Sequence, residues 1–299
     1  MSDNRNLKSS FLAAKRRLFD KVFGQKLNPE QLRATFTVKG PVLVLAGAGS
    51  GKTTVLVNRI AYIIKYGNAY FSEELPEGVD ADTVSALEYA YNLTPEEISE
   101  ILPQFISEPT PPWAVLAFTF TNKAAGEIRE RLLNTFEDKS VAEAVWAGTF
   151  HSVCLKILRK YGDRLGYKEN FSIYDTDDKK HIVLDIMKEL GIDEKRLLPK
   201  TVCAEISFAK DRLEGPDDFE MPNDPRFRDI QAIYKAYQKK LMEYNAVDFD
   251  DIIMKTVELL DNDAEVRLYY QKKFKYVLVD EYQDTNYAQF VLTKLLSDG

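Results

Sequence analysis

Four short apolar runs punctuate a chain otherwise written largely in helical periods: VLVL (Val42 to Leu45), AVLAF (Ala114 to Phe118), VWAG (Val145 to Gly148) and YVLV (Tyr276 to Val279). Each is four or five residues of mostly β-branched or large apolar type without polar alternation, which predicts strands buried on both faces of a parallel sheet. Segments with apolar residues at helical spacing follow the first three, such as TTVLVNRIAYIIKY and TNKAAGEIRERLLNTF. This alternation predicts an α/β layered domain. In open parallel sheets ligands collect at the carboxyl ends of strands. GAGSGKT, TFTN, TFHS and DEYQ all fall at that position.

Two stretches break the alternation. The first, 66–112, contains TPEEISEIL with a capping-box start: Thr94 as N-cap, Pro95 at N1 and Glu97 at N3. It closes on EPTPPW, a stiff proline connector. The second, 170–245, is predicted helical throughout and long enough to be an inserted subdomain. DDKKHIVLDIMKELG ends there at Gly191, a C-cap, and Ile230, Ile233, Tyr237 and Leu241 make one apolar stripe.

Composition adds limits. With 45% apolar and 29% charged residues over 299 positions, the chain reads as an ordinary globular protein of about two domains. Its longest apolar runs are strand-sized, far below the ~20 residues of a membrane span. Cys154 and Cys203 lack metal-ligand spacing and read as reduced core residues, so a cytoplasmic protein is expected. The net charge of −7 argues against a uniformly basic nucleic-acid binder. It is uneven, however: residues 1–60 carry eleven Lys/Arg against three Asp/Glu, and residues 61–112 carry one against ten. A local basic surface is therefore compatible with the acidic total.

Candidate chemistry sits at the strand ends. AGAGSGKTT places Ala46, Gly47, Ala48, Gly49, Ser50, Gly51, Lys52, Thr53 and Thr54 between the first strand and its helix. A glycine-rich turn there converges backbone N–H groups on phosphate oxygens. Lys52 would reach the β- and γ-phosphates of ATP, and the Thr53 hydroxyl would ligate Mg²⁺. The competing reading is an ordinary strand-to-helix turn. A phosphate loop also needs a carboxylate for the metal and a group to orient water. Asp280 fits the first role, Glu281 the general base, and Gln283 a sensor of the γ-phosphate. The alternative is that these acids cap the next helix, with Asp284 placed to do so. Asp248, Asp250 and Asp251 lack calcium-loop spacing and read as a helix cap.

LNPEQ, AGAGSGKT, FTFTNKAA, GTFHS, AVDFDD and VLVDEYQDTN, in this order, resemble the amino-terminal motifs of superfamily 1A DNA helicases of the UvrD/Rep/PcrA family. The resemblance implies a RecA-like ATP-binding domain 1A over 1–168 and 246–299, carrying the acidic insertion 66–112. It implies a helical domain 1B over 169–245. It further implies ATP-driven 3′-to-5′ translocation on single-stranded DNA, with unwinding at duplex junctions in repair or replication. Gln31 matches the adenine-reading glutamine. Phe120, Thr121, Asn122 and Lys123 match the first DNA-contacting motif, and Thr149 and His151 the next. The 47 residues of 66–112 exceed the usual link of the family. The family's later motifs and second RecA-like domain are not in this chain, so it is expected to bind Mg-nucleotide weakly and not to turn it over alone. Open alternatives are a helicase–nuclease subunit of the same superfamily, a nucleotide-switched DNA-binding module without unwinding, and a small-molecule P-loop kinase.

Overall fold

The computed structural model describes residues 2–47, 49–219 and 225–298, in two compact units. The architecture is mixed α/β and mostly helical. The first unit comprises 1–115 and 126–146. Helix α1 (Ser2–Phe23) packs with α2 (Pro29–Phe36) and α3 (Lys52–Lys65) around a knot of aromatic rings. Phe36 stacks on Tyr70 at 4.4 Å, and Phe19 meets Tyr62 and Tyr66 edge-on at 6.0 and 5.4 Å. The Tyr62 hydroxyl accepts the Tyr70 amide at 2.8 Å, so this buried phenol has its partner. Arg59 of α3 donates to the carbonyls of Ala34 and Thr37, fastening the end of α2.

Both ends of the 66–112 stretch belong to this core: Tyr66 and Tyr70 at its start, Phe105 near its end. Between them lie α4 (Ala81–Ala90) and α5 (Pro95–Ile101), and the Thr94–Glu97 capping box forms as expected. These helices rest on α1. Lys21 donates to the carbonyls of Tyr91 and Leu93 at 2.6 and 2.8 Å, and the Arg17 guanidinium lies 4.3 Å over the Tyr91 ring.

The expected strand Val42–Leu45 does not form. It carries no regular secondary structure, with Leu43 and Leu45 67% and 86% exposed. A strand exists only where its N–H and C=O groups find a ladder, and no partner strand runs beside this run among the described residues. The apolar pattern was present but the pairing was not.

The second unit comprises 116–125 and 147–299. The other three expected strands form: β1 (Val115–Thr119), β2 (Trp146–Thr149) and β5 (Tyr276–Val279), in the order β2-β1-β5. The chain between β1 and β2 carries α6 (Asn122–Thr135) and α7 (Lys139–Ala144), which from Gly126 on belong to the first unit, and α8 (Phe150–Tyr161) follows β2 directly.

The excursion 170–245 is not wholly helical. A short strand β3 (Ser172–Tyr174) pairs in parallel with β4 (Ala246–Asp248), matching Ser172 to Ala246 and Tyr174 to Asp248. The chain is thus zipped together where it leaves and returns. Between them α9 (Thr176–Glu189), α10 (Pro199–Asp211) and α11 (Pro225–Glu243) share an apolar core. The stripe Ile230, Ile233, Tyr237 and Leu241 is buried in it, and Gly191 sits just past α9 at φ +66°. α12 (Phe249–Asn262), α13 (Ala264–Lys273) and α14 (Tyr287–Ser297) complete the unit.

Candidate functional site

The candidate nucleotide residues lie in the first unit. Gly49 and Gly51 take φ of +74° and +84°, a region that side chains rarely tolerate. Gly51 is the N-cap of α3 without a side-chain hydrogen bond, so the helix presents amino-terminal amides to an outside acceptor. Ser50 N donates to the Gly47 carbonyl at 3.3 Å, and Lys52 Nζ lies 3.4 Å from the carbonyls of Ala46 and Gly47. Thr53 is half-buried in the first turn of α3. Ala48 lies outside the described residues.

Gln31 is built onto this loop. Its Oε1 accepts the Asn28 amide at 2.9 Å, one half of a capping box for α2. Its Nε2 donates to the Ser50 carbonyl at 2.9 Å. A Cβ on Gly51 would stand 2.9 Å from that nitrogen, a contact the glutamine side chain could relieve by shifting, so the φ of +84° is what calls for glycine there. The Thr54 hydroxyl accepts from Arg131 Nη1 of α6 at 3.1 Å. Sequence reasoning missed Arg131, which lies 77 positions away with no local signal.

The acidic residues lie in the second unit. The Asp280 amide donates to the Phe118 carbonyl of β1 at 2.9 Å, aligning the two strand ends. The Asp280 carboxylate is buried and accepts the Glu281 amide at 3.1 Å. Glu281 has φ +49°, left-handed for a non-glycine residue, a strain that concentrates at functional positions. Gln283 Nε2 donates to Glu281 Oε2 at 2.6 Å, bringing the two together. Asp284 does not cap the next helix. Its amide closes a short 3₁₀ turn on the Glu281 carbonyl, and Asn286, paired with Gln289, is the N-cap of α14.

The DNA candidates are strand ends that double as caps. Thr121 Oγ1 accepts the Ala124 amide at 3.1 Å, with Asn122 and Lys123 exposed beside it. Phe120 lies half-buried, 5.6 Å from the Phe150 ring. Thr149 Oγ1 accepts the Ser152 amide at 3.2 Å and begins α8. His151 follows, its ring 5.8 Å from that of Phe249. Burial lowers the His151 pKa against the pull of Asp250, favouring the neutral ring. Phe249, 53% exposed, adds an aromatic surface that sequence reasoning passed over. Its signal was one aromatic set among the acids of AVDFDD.

Those acids are structural. Asp248 and Asp251 form the capping box of α12, and Lys210 Nζ sits 2.8 and 2.9 Å from them. Lys179 Nζ and Ser207 Oγ both donate to Asp250 Oδ2, at 2.7 and 2.6 Å. Among the described residues no group of His, Cys, Asp and Glu has metal-holding geometry, and no helix is long and apolar enough to cross a membrane.

Residues 27–75 and 98–299 match the sequence model of the UvrD/REP helicase N-terminal domain. The chain belongs to that family. Among its relatives, the ATP-dependent DNA helicase PcrA of Staphylococcus epidermidis is 38% identical over 275 residues, covering 92% of this chain and 32% of the relative. The PcrA of Staphylococcus aureus is 40% identical over 272 residues, covering 91% and 31%. This UvrD/REP helicase domain thus spans about a third of the length of the curated relatives it matches. Two of its segments fall outside the family match, 1–26 and 76–97. They are the segments that carry α1 and α4, which pack on one another.

Proposed function

We propose that the chain is the ATP- and DNA-binding part of an ATP-dependent 3′-to-5′ DNA helicase acting on single strands and duplex junctions in repair or replication. In this reading 1–168 and 246–299 form a RecA-like domain 1A and 169–245 form domain 1B. The observation that carries it is Gln31, whose amide is hydrogen-bonded to the phosphate loop itself. An amide so placed can exchange its loop contact for the adenine edge, joining base recognition to phosphate binding. Gly47, Gly49, Ser50 and Gly51 supply loop amides, Lys52 the charge for the β- and γ-phosphates, and Thr53 a hydroxyl.

Thr53 and Asp280 are hard oxygen donors of the kind Mg²⁺ takes alongside phosphate and water. Mg²⁺, where bound, would supply charge neutralisation on the phosphates. Glu281 serves as general base for the attacking water, and Gln283, bonded to it, orients that water and senses the γ-phosphate. Phe120, His151 and Phe249 offer ring faces to bases, while Thr121, Asn122, Lys123 and Thr149 offer donors to the backbone.

Fluorescence anisotropy with labelled single-stranded oligonucleotides tests the DNA side. Binding should be indifferent to sequence, fall steeply as salt rises, and weaken in Phe249→Ala and Lys123→Ala. Absence of DNA binding would favour the small-molecule kinase reading.

A further inference from the structure

We infer that Arg131 is a nucleotide-contacting residue facing the base-and-ribose end of a bound nucleoside triphosphate, an inference that rests on the ATP reading above. Arg131 Nη1 bonds to Thr54 Oγ1 at 3.1 Å, and Nη2 bonds to Glu127 Oε1 at 2.6 Å. The side chain is still 42% exposed, so it is not sealed off by these two bonds. Thr54 directly follows the Mg²⁺ candidate Thr53 in the first turn of α3.

The position relative to Gln31 decides which end of the nucleotide Arg131 meets. The point where a Cβ on Gly51 would stand lies 2.9 Å from Gln31 Nε2 and 4.0 Å from Thr54 Oγ1. The adenine-reading amide and the hydroxyl that holds Arg131 therefore border the same glycine. Lys52, in contrast, turns toward the carbonyls of Ala46 and Gly47. Two cations thus serve different parts of the site: Lys52 on the phosphates, Arg131 on the side of Gln31.

A guanidinium suits that place. It is planar, keeps its charge, stacks on aromatic faces and offers five donors in a fixed fork. Thr54 and Glu127 hold it before any nucleotide arrives, so little ordering is left for binding. The sequence gap between loop and helix hides this pairing, because Arg131 reads as one more charge on the exposed face of α6.

The test is calorimetric titration of residues 1–299 with MgATP, MgADP and inorganic tripolyphosphate, for the native chain, Arg131→Ala, Arg131→Lys and Lys52→Ala. Arg131→Ala should weaken both nucleotides by about tenfold, the scale of one partly desolvated cation–base contact, and leave tripolyphosphate within about twofold. Arg131→Lys keeps the charge without the plane. It should weaken the nucleotides less, and it carries the test if Arg131→Ala fails to fold. Unchanged nucleotide affinity in the Arg131 variants, or tripolyphosphate falling in step, overturns the inference. Lys52→Ala must weaken all three ligands. If it does and the Arg131 variants do not, only the role of Arg131 falls. If it does not, the ATP reading itself fails.

Discussion

Replacing Lys210 with methionine should cost the second unit about 3–5 kcal/mol, the scale of removing one partner from a buried ion pair. The Lys210 side chain is fully buried, with its ammonium 2.8 Å from Asp248 and 2.9 Å from Asp251. Methionine refills the stem volume but leaves both carboxylates. Asp248 keeps Lys179 at 3.4 Å and the Tyr237 hydroxyl at 3.0 Å. Asp251 keeps only neutral partners in contact: the Gln238 amide and the backbone N–H of Asp248. Burial already pushes the Asp251 pKa up, Lys210 opposes that, and the Asp248 charge adds to it.

Without Lys210 the Asp251 pKa rises further above its unfolded value. A carboxyl raised in the folded state carries no penalty while protonated and loses stability as pH climbs from its unfolded toward its folded pKa. The deficit of Lys210→Met should therefore be smaller at pH 5 than at pH 8. Adding Asp251→Asn should recover part of it. The assay is denaturant unfolding at both pH values. A loss under about 1 kcal/mol, or one equal at both pH values, would show that Lys210 does not hold the two carboxylates as charged groups.

Three further outcomes follow from other elements. Lys15, buried against the Ser72 carbonyl, has its pKa lowered to about 8 by burial and by Arg16, against Glu74. The unfolded chain then binds the proton more tightly, so native stability should gain on Lys15→Met as pH rises from 8 toward the ordinary lysine value of 10.5; parallel profiles contradict this. Deleting 76–97 should leave α2, α3 and MgATP binding intact, whereas deleting 66–112 removes Tyr66, Tyr70 and Phe105 from the aromatic knot and should unfold the first unit. Equal thermal melts of the two deletions would sink that distinction. Glu281→Gly should raise thermal stability by about 1 kcal/mol through relief of the left-handed backbone; a destabilised variant counts against stored strain.

What was legible in the sequence was local. Capping boxes at Thr94 and Asp248 form because the bonding atoms lie within one turn. Three of four apolar runs became strands, and Val42–Leu45 did not, because a strand depends on partners that its own residues do not specify. The alternative that Asp284 caps the next helix fails because a 3₁₀ turn intervenes and Asn286 takes the N-cap of α14. The β3–β4 pairing spans the whole helical excursion, and three-residue strands leave no readable period. Arg131 meets Thr54, and Phe249 meets His151, only through tertiary packing, so a motif could flag the neighbourhood and not the residue.

Nucleotide binding by this chain is proposed to run through the loop between Ala46 and Thr54. Equilibrium titration of MgATP into residues 1–299, with Lys52→Ala measured in parallel and both shown folded by their melting curves, tests it most directly. The native chain should show saturable one-site binding, with at least about a tenfold loss in Lys52→Ala. Binding of equal strength by the two proteins, or none by the native chain, would contradict it.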